Sequence, residues 1–336
     1  MAKNKVTLQQ IADELGTSKV TVSRALNNRP GISDDLRRKI LERAKAYGHS
    51  ISNQSETVHA LAFLIPQRFF LENDHFYTQI YFHLNQLCQA QNIVLSAIVI
   101  SRKEEQEGTM PSQFVHQKYD GVFMAGYCGD NFLDALLAIY KKPVVFIDFK
   151  KAGLESSCVV SDNYALGFEV AEYLIQQGHK QIGFVGDYRN NPNFCDRYLG
   201  FRKALLLHDL PCNPHYDLIN SDFRTGLYMI PSQMPVRLPT AYICSCDMAA
   251  YYLYEKMKLM HLRVPDDISV ISFDNTDICE NMEPPLTSME INKQDFARLS
   301  FEQMLTEIAT PLSSMKRQFV RTHLVVRESV QKLQPD

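Results

Sequence analysis

Two sets of residues have types and spacing that allow chemistry. Near the N-terminus, Lys19, Val20, Ser23 and Arg24 fall on one side of a short helical pattern whose other side is Val22, Ala25 and Leu26. Far downstream, Asp148, Asp162, Asp187 and Asp274 each close a short apolar run. The first set suits the edge of a base pair: an arginine donates two parallel bonds to guanine, a lysine does so less directionally, and a valine can touch a thymine methyl. The second set suits a small ligand, because open α/β sheets bind beyond the carboxyl ends of their strands. For any single one of these aspartates helix capping is the simpler role. Asp162, just ahead of NYALGFEVAEYL, reads better as a cap or hinge element than as a ligand contact.

Other chemistries lack their residues. There is no phosphate-binding GxxxxGK[ST] loop and no GxSxG nucleophile turn, so an enzyme is not expected. The eight cysteines are scattered without a CxxC pair. Cys244 and Cys246, one residue apart on a strand pattern, make a poor metal site, and reduced thiols packed in a core are expected. Neither a cofactor nor a metal is expected.

The elements that must hold the first set are three short helices. Thr7 with Gln10 forms a capping-box pattern, after which Leu8, Ile11, Ala12 and Leu15 recur on one face until Gly16. Ser18 caps the second helix, and Ser33 with Asp34 and Asp35 opens the third, where acids meet the positive end of the helix dipole. Leu36, Ile40 and Ala44 face inward. Two helices joined by a tight turn and braced by a third make a helix-turn-helix unit, whose second helix enters the major groove. Thr7, Ser18, Thr21, Asn27 and Ser33 sit at helix ends, where small donors serve equally as caps or as phosphate contacts.

Charge separates this head from the rest. Residues 1–50 hold ten Lys/Arg and five Asp/Glu, a net +5, leaving 25 and 33, a net −8, for the other 286. Only the head is expected to meet a polyanion. The chain of 336 residues, 45% hydrophobic and 22% charged, can bury a large core in two or three domains. No run approaches the roughly 20 apolar residues of a membrane span. The opening residues carry acids early and no continuous apolar core, so a cytoplasmic protein is expected.

The body, from about residue 58, alternates apolar runs with amphipathic ones. Strands are predicted at 60–66, 93–100, 120–126, 143–148, 158–162, 181–187, 241–245 and 268–274. Helices are predicted at 76–90, 131–140, 163–177, 196–208, 247–259 and 294–308. Regular β-α-β alternation with continuous apolar strands means parallel sheets covered on both faces. Roughly ten strands is large for one open sheet, so two lobes are expected, with their strand ends facing one cleft.

Residues 6–48 resemble the head of the lactose/galactose repressor (LacI/GalR) family, most specifically in TVSRALN and in the pair Ser33 and Arg37. The resemblance extends to about residue 330 through SDNYALGFEVAEYLIQQGHKQIGFVG, RYLGFRKAL, VPDDISVISFDN and EPPLTSM. It implies a sequence-specific DNA-binding repressor in which Lys19, Val20 and Arg24 read bases, while Asn27 and the capping residues hold the DNA backbone. It implies a body like the periplasmic sugar-binding fold with three crossovers. Lobe one would be about 58–158 and 290–318, and lobe two about 159–289 and 319–330. It further implies a homodimer on a pseudo-palindromic double-stranded operator, controlled by a small effector, a sugar by expectation.

On that resemblance Asp148, Arg197 and Asp274 contact polar effector groups, with Asn191 and Asn193 in the loop before Arg197 as further candidates. Phe223 packs against the effector ring. Phe76 and Tyr77, in the loop after the first strand, form a second wall or else pack the core. Two positions depart from the family pattern: Cys246, where many members have an asparagine facing the ligand, and Ile291, where some have a polar residue. The linker departs further. Residues 49–57, HSISNQSET, lack the proline, arginine and leucine of the family's hinge helix, so a flexible tether is expected in place of a minor-groove wedge. The alternative reading is a regulator whose body answers to a non-sugar metabolite or a protein partner.

Overall fold

The computed structural model describes residues 7–26, 31–47, 58–70, 75–150, 156–222, 224–310 and 316–334. The linker 49–57, Asn27 and Phe223 lie outside the described residues. The chain divides into two compact units, Met1–Val58 and His59–Asp336.

The first unit holds helices α1 (Leu8–Glu14), α2 (Lys19–Leu26) and α3 (Asp34–Ala46). Thr7 caps α1 in a full capping box with Gln10, and Ser18 Oγ accepts from the Thr21 amide at 3.0 Å. These caps satisfy amides that the first turn leaves without partners. Ile11, Ala12, Val22, Ala25, Ile40 and Ala44 form the core, with Leu8, Leu15, Leu26, Ile32 and Leu36 around it. Arg37 adds a tie from α3 to the end of α2, donating to the Ala25 carbonyl at 3.4 Å.

The second unit follows the order β1 (Ala60–Pro66), α4 (His75–Ala90), β2 (Val94–Ile100), α5 (Arg102–Glu107), α6 (Ser112–His116), β3 (Gly121–Ala125), α7 (Asp130–Ile139), β4 (Val144–Ile147) and β5 (Cys158–Val160). Next come α8 (Asn163–Gln176), β6 (Ile182–Val185), α9 (Pro192–Leu207), β7 (Ser221–Asp222), β8 (Leu227–Tyr228), β9 (Ala241–Cys244), α10 (Asp247–Leu259), β10 (Ser269–Asp274) and α11 (Ile278–Asn281). The last elements are β11 (Thr287–Ile291), α12 (Lys293–Ala309), β12 (Arg317–Phe319) and β13 (Thr322–Val325).

The strands form two lobes. Lobe 1 is built on the parallel sheet β12-β5-β4-β3-β1-β2, and lobe 2 on β13-β11-β10-β9-β6, in which β13 alone runs antiparallel. Strands β1, β3, β4 and β9 are buried almost throughout, as sheets covered by helices on both faces require. The chain passes between the lobes after β5, after β11 and after β12.

Several expected boundaries move. The strand expected to reach residue 162 ends at Val160, because Asp162 turns the chain and caps α8, accepting from the Ala165 amide at 3.2 Å. The helix expected from 196 begins at Pro192, with Asn191 as its cap. Phe76 and Tyr77 lie in the first turn of α4 and not in a loop. Ile291 ends β11 fully buried, opposite Thr322 of β13, and lines no cavity between the lobes.

Candidate functional site

On the head, α2 presents its outward side as expected from its stripe. Val20 is 64% exposed, and Lys19 and Arg24 are exposed beside it, while Thr21 and Ser23 are half-buried. Thr7, Ser18 and Ser33 each accept a backbone amide at a helix start, Ser33 from Leu36 at 3.4 Å. Their capping role is therefore met within the chain, and their hydroxyls stay at the surface with exposed residues around them.

Between the two lobes lies a cavity of about 70 Å³. Lobe 1 contributes Phe76, Tyr77 and Asp148, and lobe 2 contributes Asn191, Asn193, Arg197, Cys246 and Asp274. The structure thus gathers every described residue expected at the effector site. Asp162 is not among the lining residues; Asp187 is, with its carboxylate held by Asn190 at 3.0 and 2.9 Å.

Arg197 owes its place to two glycines. Helices α8 and α9 cross so closely that a Cβ on Gly167 would lie 2.0 Å from the Arg197 carbonyl, and one on Gly200 would lie 2.1 Å from that of Tyr164. The guanidinium, buried beneath this crossing, donates to Asn163 Oδ1 at 2.7 Å, to the Ser245 carbonyl, and to Asp274 Oδ1 at 3.3 Å. It also lies over the Phe273 ring, 4.6 Å from the centroid. A planar fork with its donors fixed this way is pre-organised.

Both strand-end aspartates sit on left-handed backbone: Asp148 at φ 64°, and Asp274 at φ 100° followed by Asn275 at φ 45°. Such conformations are costly for residues other than glycine and persist only where the surroundings hold them. Lys293, in the first turn of α12, donates to the carbonyls of Asp274 and Asn275. Burial raises Asp274 above the usual carboxylate range against the pull of Arg197. Asp148 is pushed up to about 7 by burial, which outweighs the hydrogen bond from Tyr77. Asp148 Oδ2 accepts from Tyr77 at 2.7 Å and from Asn193 at 2.9 Å. Its Oδ1 is buried without a hydrogen-bond partner among the described residues.

Other lining residues were not foreseen. Arg68 and Phe69 follow β1 in a 3₁₀ turn, Gln67–Phe69, where the strand-end rule applied to β1 would have found them. Arg68 forms a buried salt bridge with Glu105 and donates to the Tyr127 carbonyl. Gly226, at φ +75° in the turn between β7 and β8, abuts it across the cleft; a Cβ there would lie 2.2 Å from the Arg68 carbonyl. Cys246 faces the cavity with its sulfur 3.0 Å from the Tyr228 hydroxyl. Asp247, fully buried, accepts from Ser288 at 2.7 Å and from the Thr276 amide and hydroxyl at 2.7 and 2.9 Å. Among the described residues no group of His, Cys, Asp and Glu could hold a metal ion, and no helix is long and apolar enough to cross a membrane.

A helix-turn-helix head followed by a two-lobed body with a polar cleft defines a class: transcriptional regulators with a periplasmic-binding-protein-like effector domain. Residues 7–49 match the bacterial regulatory proteins of the lacI family, and residues 171–330 match the periplasmic binding protein-like domain. The ribose operon repressor of Haemophilus influenzae is 24% identical over 338 residues, covering 97% of this chain and 99% of that protein. Among solved structures, a CelR–cellobiose complex superposes with a TM-score of 0.67 at 22% identity, over 96% of this chain and 99% of its own. The lac repressor dimer bound to operator and the anti-inducer ONPF superposes with a TM-score of 0.65 at 17% identity, over 98% and 100%. The chain belongs to the LacI family: it is a DNA-binding transcriptional repressor and not an enzyme.

Proposed function

We propose that this repressor governs a carbohydrate-related operon and that a sugar or similar small polar effector, held between its lobes, controls its grip on DNA. The observation that carries this reading is the meeting of Asp148 from lobe 1 with Arg197 and Asp274 from lobe 2 around one cavity. Carboxylates and a planar guanidinium suit the paired donors and acceptors of a polyol, and Asp148 Oδ1 has an acceptor to offer. The names of the ribose operon repressor and the CelR–cellobiose complex lean the same way.

In this reading residues 1–48 are the DNA-binding domain, 49–57 an atypical linker and 58–330 the effector-binding domain. Lys19, Val20 and Arg24 read bases. Ser23 lies beside them on the DNA-facing side, and Thr7, Ser18, Thr21, Asn27 and Ser33 meet the DNA backbone. Phe223 and the residues gathered around Asp148 contact the effector. One head reaches few base pairs, so the working form is a homodimer on a two-fold operator within the cytoplasm.

The test is a thermal melt of the full chain with a panel of sugars and nucleosides, paired with selection of the genomic sites it binds. A ligand at 100 times its Kd adds about 2.7 kcal/mol to stability. A sugar that raises the Tm, and bound sites beside sugar-metabolism genes, are expected. A panel in which only nucleosides raise the Tm, or in which nothing does, ends the sugar reading.

A further inference from the structure

The cavity between the lobes is rich in acid. Asp148, Asp187, Asp222, Asp247 and Asp274 line it, against two guanidinium groups, Arg68 and Arg197. Both arginines already hold partners, none of which is Asp148. Arg68 pairs with Glu105, and the three guanidinium nitrogens of Arg197 go to Asn163, Ser245 and Asp274. The other acids are also engaged: Asp187 by Asn190, Asp222 by Arg224, and Asp247 by Ser272, Ser288 and Thr276.

Asp148 differs. It is 5% exposed, and although its side-chain donors, Tyr77 and Asn193, are neutral like those of Asp187 and Asp247, one of its oxygens, Oδ1, has no hydrogen-bond partner among the described residues. A buried carboxylate oxygen left without a donor is expensive. The walls beside it are aromatic: Phe69, Phe76 and Tyr77 from lobe 1, Phe194 and Tyr228 from lobe 2. Aromatic faces together with a carboxylate are the surroundings in which proteins recognise organic ammonium groups.

We propose that the effector carries a protonated amine, as an amino sugar does, and that Asp148 is its counter-ion. The proposal rests on the sugar reading and narrows it. An ammonium brings three donors, one of which fills Oδ1, while the remaining hydroxyls face Arg197 and Asp274. A sugar bearing a carboxylate or phosphate would instead add negative charge beside Asp148 and is disfavoured by the same arrangement.

The experiment titrates the full chain with D-glucosamine, D-galactosamine and D-mannosamine, each beside its neutral parent hexose and the matching uronic acid. Calorimetry at about pH 7 keeps most of the amine protonated while leaving Asp148, pushed up to about 7, free to ionise against it. At least one amino sugar should bind about tenfold or more tighter than its parent, a difference of about 1.4 kcal/mol, and the uronic acids should not bind. In Asp148→Asn that preference should collapse to near equality, in a protein whose own Tm is not lowered. Neutral hexoses binding as tightly as their amines would overturn the amine and leave the sugar reading standing. Tight binding of a uronic acid would do the same. Silence of all three amino sugars would overturn the amine proposal and return the sugar reading to its own wider panel, and an amine preference that survives in Asp148→Asn would overturn the assignment of Asp148.

Discussion

Asn193, in the first turn of α9, donates its side-chain amide to both the carbonyl and the carboxylate of Asp148, at 2.8 and 2.9 Å. One residue of lobe 2 thereby holds the strand end of lobe 1. Asn193→Ala removes both bonds and leaves buried acceptors behind, which costs about 1–3 kcal/mol. Urea unfolding should register that loss, and small-angle scattering should show a larger radius of gyration. An unchanged radius would mean that this contact does not hold the lobes together.

Asp148 also sets a pH dependence. Its folded pKa of about 7 lies above the ordinary value of 3.8. For a carboxyl raised in this way, stability is fully present below the unfolded pKa and is lost as pH rises through the folded one. Asp148→Asn should therefore be nearly neutral near pH 4 and stabilising at pH 8, by on the order of 4 kcal/mol. His179 acts in the opposite sense, since burial lowers its pKa and its contribution is lost on acidification. The difference between variant and parent cancels that background. A difference in Tm that does not change between the two pH values would refute the assignment.

Arg197→Lys tests the fork. A single ammonium cannot serve Asn163, Ser245 and Asp274 together, and each buried acceptor it leaves unpaired costs about 1–3 kcal/mol. The melt with a binding sugar should lose its ligand shift, while the head keeps its operator affinity in a gel-shift titration. A parental ligand shift in the variant would sink the role.

Arg24→Ala concerns the head alone. Arg24 is exposed, so unfolding should change by no more than about 0.5 kcal/mol. Losing one bidentate guanine contact costs about 1–3 kcal/mol of discrimination. Titrating selected operator and scrambled DNA at one salt concentration separates this from general phosphate binding. Equal specificity in variant and parent would remove Arg24 from the reading set.

Gly167→Ala should push α8 from α9, because its Cβ would come within 2.0 Å of the Arg197 carbonyl. Overpacking of this kind costs about 1–3 kcal/mol or more, and here it also displaces the guanidinium. A variant that melts like the parent would show that the crossing adapts.

Much of this was readable in the sequence, for physical reasons. Strands such as Ala60–Pro66 are legible because burial on both faces leaves a continuous apolar run. Asp148 and Asp274 were visible because a polar residue ending such a run has few places to go except the cleft. Short elements escaped. Strand β12 has three residues, one of them Arg317, and β13 includes His323; their places come from pairing with distant strands and not from local pattern. The capping boxes are instructive. Thr7 and Gln10 stand out ahead of a clear apolar stripe, whereas the equivalent pair Ser101 and Glu104, which opens α5, is hidden inside a charged stretch. Asn191 before Pro192 carried a cap signal that would have moved the start of α9. The glycine crossing was beyond reach, since nothing local to Gly167 says that another backbone will lie against it.

Gly226 and the Arg68 carbonyl meet main chain to main chain, with no space for even a methyl group. Side chains can yield to a ligand, but backbone pressed on backbone cannot. The jaws of this cleft therefore have a fixed minimum gauge. A ligand too small to bridge that gauge cannot draw the lobes further in to meet it, so the contact sets a lower limit on effector size, much as the depth of the pocket sets an upper one.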